Sequence, residues 1–351
     1  MLRTTIRRRF HEGTRVSVTI RDVAAAAGVS TATVSRALRG LAYVDEETRL
    51  RVISAAHQLD YVASPSASRL ASGRTGTIAV LTPYVGRWFF ATVIEGISQA
   101  LANVPLDLLL VEVGNPDRPA IGSIEQRLRS RADGAVVIAL PEDHDVVDSL
   151  VEQQFPVSLV GSLTERISSI AIDDIDTGRL ATQHLLNLGH REIGLISGSP
   201  SDDTRTAQGK RTAGYVSALT TAGLTPRPDL TAFGDFTQHG GERAMVEILT
   251  QPRSPTAVFC LSDEMAFGAM AALHRHGLTP GVDIALVGVD GHPQSDVLNL
   301  TTVTQPVVDM GRLATQALLD GISAGPAHQP VQKSIPVELV VRSSSAPAKN
   351  G

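Results

Sequence analysis

The sequence has little cysteine, few aromatic residues and no long uninterrupted apolar run. Cys260 is the only cysteine among 351 residues, which excludes an internal disulfide and fits a reducing compartment. No apolar stretch approaches the roughly 20 residues that a membrane-spanning helix requires. The arginine-rich N-terminus is not followed by an apolar run of the kind found in signal peptides. These absences predict a cytoplasmic protein without a membrane partner.

Recognisable catalytic and metal-binding motifs are also missing. The sequence contains no Gly-x-Ser-x-Gly elbow, no His-Glu-x-x-His and no paired-cysteine spacing. Gly209-Lys210-Arg211 lacks both the upstream glycine and the following Ser or Thr of a phosphate-binding loop. The ten histidines are scattered along the chain. We therefore expect a binding protein with no catalytic residue, metal or cofactor.

Charge is distributed unevenly along the chain. Residues 1–75 contain twelve arginines, no lysine and six acidic residues, so they carry a formal charge of +6, whereas the remainder carries −11. A basic N-terminal segment on an acidic body is typical of a DNA-binding domain joined to a separate sensor. The length fits a small domain followed by a larger, two-lobed one.

Residues 18–63 have the pattern of a helix-turn-helix. Thr19 precedes apolar residues at helical spacing, Gly28 can end that helix, and Ser30 can begin a second one. Two short helices joined by a tight glycine turn form a motif whose second helix can lie in the major groove of DNA. The spacing by itself also fits a plain three-helix bundle.

A third helix is predicted to follow Asp45, whose carboxylate can cap it. Glu46 and Glu47 suit the positive end of that helix. We expect the apolar side chains of this helix to face the core of the small domain: Leu50, Ile53 and Leu59.

The order of these residues resembles the headpiece of the lactose-repressor (LacI) family. From Val18 the sequence reads Val-Thr-Ile-x-Asp-Val-Ala-x-x-Ala-Gly-Val-Ser-x-x-Thr-Val-Ser-Arg, and Thr48-Arg49 and Leu59-Asp60-Tyr61 follow. The resemblance continues to a last strand near Arg342. It implies an N-terminal all-α helix-turn-helix headpiece plus an α/β periplasmic-binding-protein-like core of two lobes.

The resemblance also implies a function. Such a protein is a sequence-specific DNA-binding transcriptional regulator, here expected to be a repressor, whose operator affinity is controlled by a small-molecule effector in the cleft of the core. Because one headpiece reads half of a palindrome, a homodimer on pseudo-palindromic operator DNA is expected. The C-terminal residues contain no leucine heptad of the kind that joins the family's tetramers.

Domain boundaries are predicted from the resemblance and from shifts in composition. Residues 1–17 are expected to be a basic, disordered arm, although phosphate contacts by its arginines are an alternative role. The remaining boundaries are a headpiece at 18–63, a hinge helix and linker at 64–75, and an effector-binding and dimerisation domain at 76–345, with lobe 1 at about 76–174 and 306–334 and lobe 2 at about 175–303 and 335–344.

Apolar runs alternate with helical stretches from Thr77 onward. Buried parallel strands joined by crossover helices have this pattern, so it predicts an α/β core with enough strands for two sheets. The predicted strands are Ile78–Leu81, Leu108–Val113, Ala135–Leu140, Val157–Val160, Ile170–Ile172, Ile193–Ile196, Ala257–Cys260 and Ile284–Val289.

The DNA-contacting residues are predicted mainly from the resemblance. It places Thr31, Ala32 and Arg36 at base-reading positions, where Arg36 can pair with guanine and the Ala32 methyl can contact thymine. Small hydroxyls nearby suit phosphates, and Leu70 falls where the family inserts a leucine into the minor groove. The full predicted set is Thr19, Ser30, Thr31, Ala32, Thr33, Ser35, Arg36, Ala67 and Leu70.

Effector contacts are expected beyond the carboxyl ends of the core strands, where open α/β lobes bind ligands. By resemblance, Arg211, Phe236 and Asp290 match effector-contacting positions across the family, whereas Arg205 and Phe90 match positions of purine-binding members. Carboxylate and guanidinium groups can satisfy vicinal hydroxyls, and an aromatic face can stack on a ring. The full predicted set is Phe89, Phe90, Arg205, Arg211, Phe236, Ser262, Asp263, Asp290 and Gln305.

Several alternatives remain open from the sequence. Asp263 is equally suited to capping a helix, and Phe89 to packing within a lobe. Gly161 stands where family members often have an effector-contacting side chain. A sugar is the expected effector, while a purine- or nucleoside-responsive regulator of the same fold is the alternative. A solute-binding protein without a regulatory role is disfavoured by the basic headpiece.

Overall fold

The structure is a computed structural model that describes five stretches of the chain, separated by short gaps. They are residues 18–38, 43–61, 74–113, 124–200 and 203–348. The chain divides into two compact units, one ending at Arg74 and the other beginning at Thr75. The predicted basic arm, most of the predicted hinge helix, and its residues Ala67 and Leu70 lie outside the described residues.

The described residues of the first unit form three helices, which start at the predicted caps Thr19, Ser30 and Asp45. Gly28 ends the first helix in a left-handed conformation, with φ of 68°. The Ser30 hydroxyl accepts a hydrogen bond from the Thr33 N–H at 3.1 Å, and the Asp45 carboxylate accepts one from the Thr48 N–H at 2.8 Å. The helices are α1 (Ile20–Ala27), α2 (Thr31–Leu38) and α3 (Glu46–Gln58).

The prediction that Leu50 and Ile53 face inward is wrong. Their side chains are 58% and 46% exposed, whereas Val52 is fully buried. At about 100° per residue, Leu50 lies about 160° and Ile53 about 100° around α3 from Val52. The apolar residues of α3 therefore occupy both faces, and burial selects the one with Val52. Leu59 does pack against this core, as predicted.

In the described residues of the second unit, strands mostly alternate with helices. Its first part contains β1 (Thr77–Thr82), α4 (Trp88–Leu101), β2 (Asp107–Glu112), α5 (Ile124–Arg129), β3 (Gly134–Ile138), α6 (Asp145–Glu152), β4 (Val157–Val160) and β5 (Ser168–Ala171). Its middle part contains α7 (Asp174–Asn187), β6 (Ile193–Ser197), α8 (Ala207–Thr221), β7 (Thr231–Phe233), α9 (Gln238–Leu249), β8 (Ala257–Cys260), α10 (Asp263–Arg275), β9 (Ala285–Asp290), α11 (Gln294–Val297) and β10 (Thr301–Thr304). The last elements are α12 (Val307–Ala324), β11 (Gln332–Ser334) and β12 (Glu338–Val340).

These strands form two six-stranded sheets, one in each lobe. The first lobe has the order β11-β5-β4-β3-β1-β2, and the second has β12-β10-β9-β8-β6-β7. Neighbouring strands are parallel, except that β12 runs antiparallel to β10. The chain passes between the lobes after β5, after β10 and after β11. The structure thus confirms the predicted fold class of a helix-turn-helix headpiece and a two-lobed α/β core.

Pairs of helices in both lobes cross at glycines that leave no room for a side chain. A Cβ on Gly96 of α4 would lie 2.0 Å from the carbonyl oxygen of Val308 in α12. A Cβ on Gly178 of α7 would lie 2.1 Å from the carbonyl oxygen of Arg211 in α8. The helix backbones therefore touch directly at these two crossings, which only glycine allows.

No helix in the described part of the chain is both long enough and apolar enough to span a membrane.

Two histidines bind the C-terminal segment to the second lobe. The His190 Nε2 lies 2.9 Å from the Ala346 carbonyl oxygen, and its Nδ1 lies 2.9 Å from the Thr256 hydroxyl. The His184 Nε2 lies 2.8 Å from the Ser345 hydroxyl. Because a carbonyl oxygen only accepts, His190 must carry its proton on Nε2 and accept at Nδ1. Burial lowers the pKa of both imidazoles below its ordinary value.

This pair predicts a loss of stability in mild acid. Above the ordinary histidine pKa, both states are neutral and stability is independent of these groups. As the pH falls below that value, the unfolded chain binds protons that the folded chain does not, so the free energy of unfolding decreases. Urea unfolding from pH 7.5 to 5 should show this decrease in the native chain. The double substitution His184→Gln and His190→Gln should flatten it, and parallel curves for the two proteins would contradict the prediction.

Candidate functional site

The outer face of α2 carries the predicted base-reading residues. Val34 and Ala37 are buried against α1 and α3, whereas Thr31, Ala32 and Arg36 are exposed. An exposed arginine on the second helix of this motif is free to reach the edge of a base. The assignment of these three residues to DNA stays a prediction.

The predicted phosphate-contacting hydroxyls take part in helix capping. The Ser30 and Thr33 hydroxyls lie 2.9 Å apart at the start of α2. The Thr19 N–H and hydroxyl both donate to one oxygen of Asp22, each at 2.8 Å, and these bonds lower the pKa of that carboxyl. All three hydroxyls lie at helix N-termini, where backbone N–H groups and the helix dipole attract phosphate. Ser35 is half-buried within α2.

Arg211 lies buried within the second lobe, in helix α8. It is the fifth residue of α8, and its side chain is 7% exposed. Its Nε donates to the Asp174 carboxylate at 2.8 Å, and its Nη1 donates to the Leu261 carbonyl oxygen at 2.7 Å. The same Nη1 lies 3.7 Å from Asp290. A guanidinium has five N–H donors, so two bonds leave further donors for a ligand.

Asp290 ends β9 in a strained backbone conformation. Its φ is 127°, a value that side-chain-bearing residues seldom adopt and that clusters at ligand sites. The Gln305 Nε2 donates to its Oδ1 at 2.7 Å. Burial raises the pKa of the Asp290 carboxyl, and the Arg211 guanidinium opposes this shift. The structure therefore brings together three predicted effector residues, Arg211, Asp290 and Gln305.

Asp263 and Ser262 serve the lobe itself. The Asp263 carboxylate accepts hydrogen bonds from the His292 N–H and the hydroxyls of Ser295 and Thr302, at 2.7–2.8 Å. Ser262 caps α10 by accepting the Met265 N–H at 3.3 Å. Burial raises the pKa of Asp263 to about 6, and the three donors oppose the shift. The sequence alternative in which Asp263 caps a helix is not what the structure shows: Ser262 takes the cap position of α10, and Asp263 instead binds groups of its own lobe.

Aromatic side chains of the two lobes meet beside this group. Trp88 of α4 lies against His292 of the second lobe, with ring centroids 4.8 Å apart, and Phe267 meets the other side of that imidazole at 5.2 Å. Phe90 contacts both Phe89 and Tyr84 edge-on, at 5.4 Å and 5.6 Å. Both phenylalanines also pack against the core of the first lobe.

Phe236 lies directly over Gly198. A Cβ at position 198 would meet the Phe236 ring at 2.0 Å, so only glycine allows this approach. Phe236 also has a positive φ of 52°, which is unusual for a bulky residue. Its ring is thereby held at the carboxyl end of β6, which is the predicted rim of the cleft.

Arg205 binds a different pair of carboxylates from those that accompany Arg211. Its Nε and Nη2 donate to the two oxygens of Asp203 at 2.9 Å and 3.0 Å, and its Nη1 pairs with Asp143 of the first lobe. These carboxylates raise the pKa of the guanidinium. Asp143, Asp174, Glu264 and His292 were missed by sequence reasoning, because each belongs to a segment that reads as an ordinary turn or helix start.

The described residues hold no group of three or more His, Cys, Asp or Glu side chains arranged for a metal ion. The thiol of Cys260 is fully buried, and burial raises its pKa.

A helix-turn-helix unit followed by two hinged α/β lobes defines a class of proteins, the DNA-binding regulators with a periplasmic-binding-protein-like core. Residues 19–64 match the family described as "Bacterial regulatory proteins, lacI family". Residues 182–345 match the family described as "Periplasmic binding protein-like domain".

Known proteins of similar sequence and structure agree with these matches. The HTH-type transcriptional repressor CytR of Escherichia coli is 32% identical over 94% of this chain and 96% of its own length. The Lac repressor dimer bound to operator and the anti-inducer ONPF has a TM-score of 0.80 at 26% identity, covering 94% of this chain and 99% of that one. A complex of the transcriptional regulator CelR with cellobiose has a TM-score of 0.66 at 31% identity, covering 93% and 99%. The chain belongs to the LacI family and is a DNA-binding transcriptional regulator.

Proposed function

We propose that this chain is a homodimeric repressor whose affinity for a pseudo-palindromic operator is set by a sugar bound between the lobes. The observation that carries the proposal is the pairing of Arg211 with Asp290 at the carboxyl end of β9. A buried guanidinium with spare donors beside a buried carboxylate matches adjacent hydroxyls, which both donate and accept. Such a protein acts by binding alone, without catalysis, and acts in the cytoplasm, where its DNA partner is.

The coupling of the two sites follows from population shift. An effector changes operator affinity only if it binds the DNA-competent and DNA-free states unequally. A ligand held by Arg211 and Asp290 in the second lobe and by Phe90 in the first would fix the angle between the lobes. In this proposal residues 18–63 bind DNA, 64–75 connect, and 76–345 sense the effector and dimerise.

The choice of a sugar is supported by the CelR–cellobiose complex and by the donor and acceptor groups of the cleft. A purine- or nucleoside-responsive regulator is the second candidate, since the Tyr84, Phe89 and Phe90 rings offer aromatic surface for a base. Thermal-shift screening with cellobiose, ribose, adenosine and hypoxanthine separates them, because a ligand that binds only the folded state raises the melting temperature. Enzymatic turnover of any of these compounds would contradict the proposal.

DNA selection tests the proposed partner. The full chain should enrich a two-fold-symmetric motif from a random pool, with half-sites about one helical turn apart, and its affinity should fall steeply with salt. Arg36→Ala should weaken binding by about 1–3 kcal/mol and relax the preference at one base pair of each half-site. Arg51→Ala, an exposed arginine on α3, serves as the control and should leave that base preference unchanged. Enrichment of no symmetric motif would overturn the proposal.

A further inference from the structure

An arginine joins the two lobes at the rim of the cleft. Arg205 lies between β6 and α8 in the second lobe, and Asp143 lies between β3 and α6 in the first. The Arg205 Nη1 pairs with the Asp143 carboxylate across the gap between the lobes. Both side chains are about half exposed, so the pair is open to solvent and to an entering ligand.

The same guanidinium is held from its own lobe by a second carboxylate. Its Nε and Nη2 bind the two oxygens of Asp203 in a bidentate arrangement, and the Arg205 backbone N–H donates to Asp203 at 3.0 Å. The Arg205 bonds are the largest cause lowering the pKa of Asp203, so that group stays ionised. These three side chains, one cation and two anions, together carry a formal charge of −1.

A second arginine at the cleft is also matched by a carboxylate. The Arg87 guanidinium lies 3.6 Å from the Tyr84 ring centroid, and Glu264 of α10 in the second lobe interacts with it electrostatically. The buried Arg211 of α8 is likewise accompanied by Asp174 and Asp290. Carboxylates therefore accompany all three of these arginines.

We propose that Arg205, Asp143 and Asp203 form an interlobe clasp that selects uncharged effectors over phosphorylated ones. This inference rests on the proposed function, in which the cleft holds the effector. A phosphate at this rim would meet two carboxylates whose shared guanidinium is already engaged. It would have to displace one of them, or remain close to both, and either arrangement disfavours the anion. A hydroxyl in the same place adds no charge.

The proposed clasp gives Arg205 a different role from the one predicted from the sequence. Sequence reasoning assigned this residue to effector contact, because it matches a position of purine-binding proteins. In the proposed arrangement it instead holds the lobes together. Its charge is neutralised by Asp143 and Asp203, so the rim of the cleft discriminates against phosphorylated effectors. An exposed ion pair contributes modestly, and its removal should weaken closure by about two- to fivefold.

The test compares ligand pairs that differ by one phosphate. Full-length protein is titrated calorimetrically with ribose and ribose 5-phosphate, cellobiose and cellobiose 6-phosphate, and adenosine and its 5′-monophosphate. The uncharged member of one pair should bind at least about tenfold more tightly than its phosphorylated partner. The double substitution Asp143→Asn and Asp203→Asn leaves the size of both side chains unchanged and frees the Arg205 charge. It should reduce that ratio to about threefold or less, and more so at low salt.

A matched control is available on the same lobe. Arg227 and Asp229 form another partly exposed arginine–aspartate pair two residues apart, and they precede β7 at the opposite end of the sheet. Asp229→Asn should leave the ratio unchanged. Melting temperatures of all variants show whether each is folded.

Three outcomes would overturn the proposal. The first is a phosphorylated ligand that binds the native chain as tightly as its uncharged partner, or more tightly. If Lys210→Ala then removed this preference, the anion would bind at the start of α8. The second is a ratio that the Asp143 and Asp203 substitutions leave unchanged, since the discrimination would then be steric. The third outcome is that the protein binds none of these ligands but still binds its selected operator. Sugars and nucleosides would then be excluded as effectors, while the DNA-binding function would stand.

Discussion

Asp290→Ala is expected to abolish the response of operator affinity to the effector. The substitution removes the carboxylate next to Arg211 and leaves the Gln305 amide without its acceptor. Hydrogen bonds to a charged group contribute about 1.5–3 kcal/mol each, so effector affinity should fall by at least about tenfold. Operator binding is measured with and without the ligand that screening identifies, for the native chain and the variant.

The unliganded variant distinguishes the two kinds of effector. If the ligand is an inducer, the variant should bind operator as well as the native chain does and should not be released. If the ligand is a corepressor, the variant should remain weak on its operator at every ligand concentration. Asp290→Asn keeps the size of the side chain and an acceptor for Gln305, so it isolates the contribution of the charge. A full response with an unshifted dose curve would show that Asp290 does not contact the effector.

Arg211→Met should destabilise the core by about 3–5 kcal/mol, because removing one partner of a buried ion pair leaves the other charged and unpaired. The orphaned groups would be the Asp174 carboxylate, which is 4% exposed, and the Leu261 carbonyl oxygen. Methionine approximates the length of the arginine stem, so the loss reports the guanidinium rather than a cavity. Urea unfolding of the full chain provides the measurement.

Arg243→Met is the matched control for this experiment. Arg243 pairs with Asp235 at 3.0 Å, and both side chains are more than half exposed. Exposed pairs contribute at most about 1 kcal/mol, so this variant should unfold close to the native midpoint. Adding Asp174→Leu to Arg211→Met should restore part of the lost stability by removing the unpaired charge. Equal losses for Arg211→Met and Arg243→Met would show that the buried ion pair does not stabilise the lobe.

The predictable part of the fold consists of elements with strong apolar patterns. The strands β4 and β8 have the predicted bounds, because each is an apolar run between clear turn signals. The strands β7 and β10 were not predicted. The first has three residues, and the second reads Thr-Thr-Val-Thr, so neither has an apolar run long enough to be distinguished from a loop. Their place in the sheet comes from tertiary pairing, which local sequence does not encode.

In the candidate site, Asp290 was predictable because it follows a recognisable strand, β9. Asp290 and Gln305 are joined by a hydrogen bond although they are fifteen positions apart, since β9 and β10 are neighbours whose carboxyl ends meet. The partnership of Arg205 with Asp143 has no such local signal. It joins segments 62 positions apart on different lobes, so it depends on the angle between two bodies that no periodicity specifies.

Because the chain passes between its lobes three times, the first lobe to begin emerging from the ribosome cannot be completed until late in translation. Helix α12 and strand β11 complete the first lobe, yet they are translated after nearly all of the second lobe. At about 5–20 residues per second, the ribosome needs on the order of 10–30 s to move from Ala171 to Gln332. During that interval β5 lacks its outer neighbour, and the face of α4 that α12 will cover stays open. The nascent first lobe therefore exposes the apolar surface that α12 and β11 will cover until these last elements emerge, and a stop codon anywhere before β11 leaves both lobes unfinished.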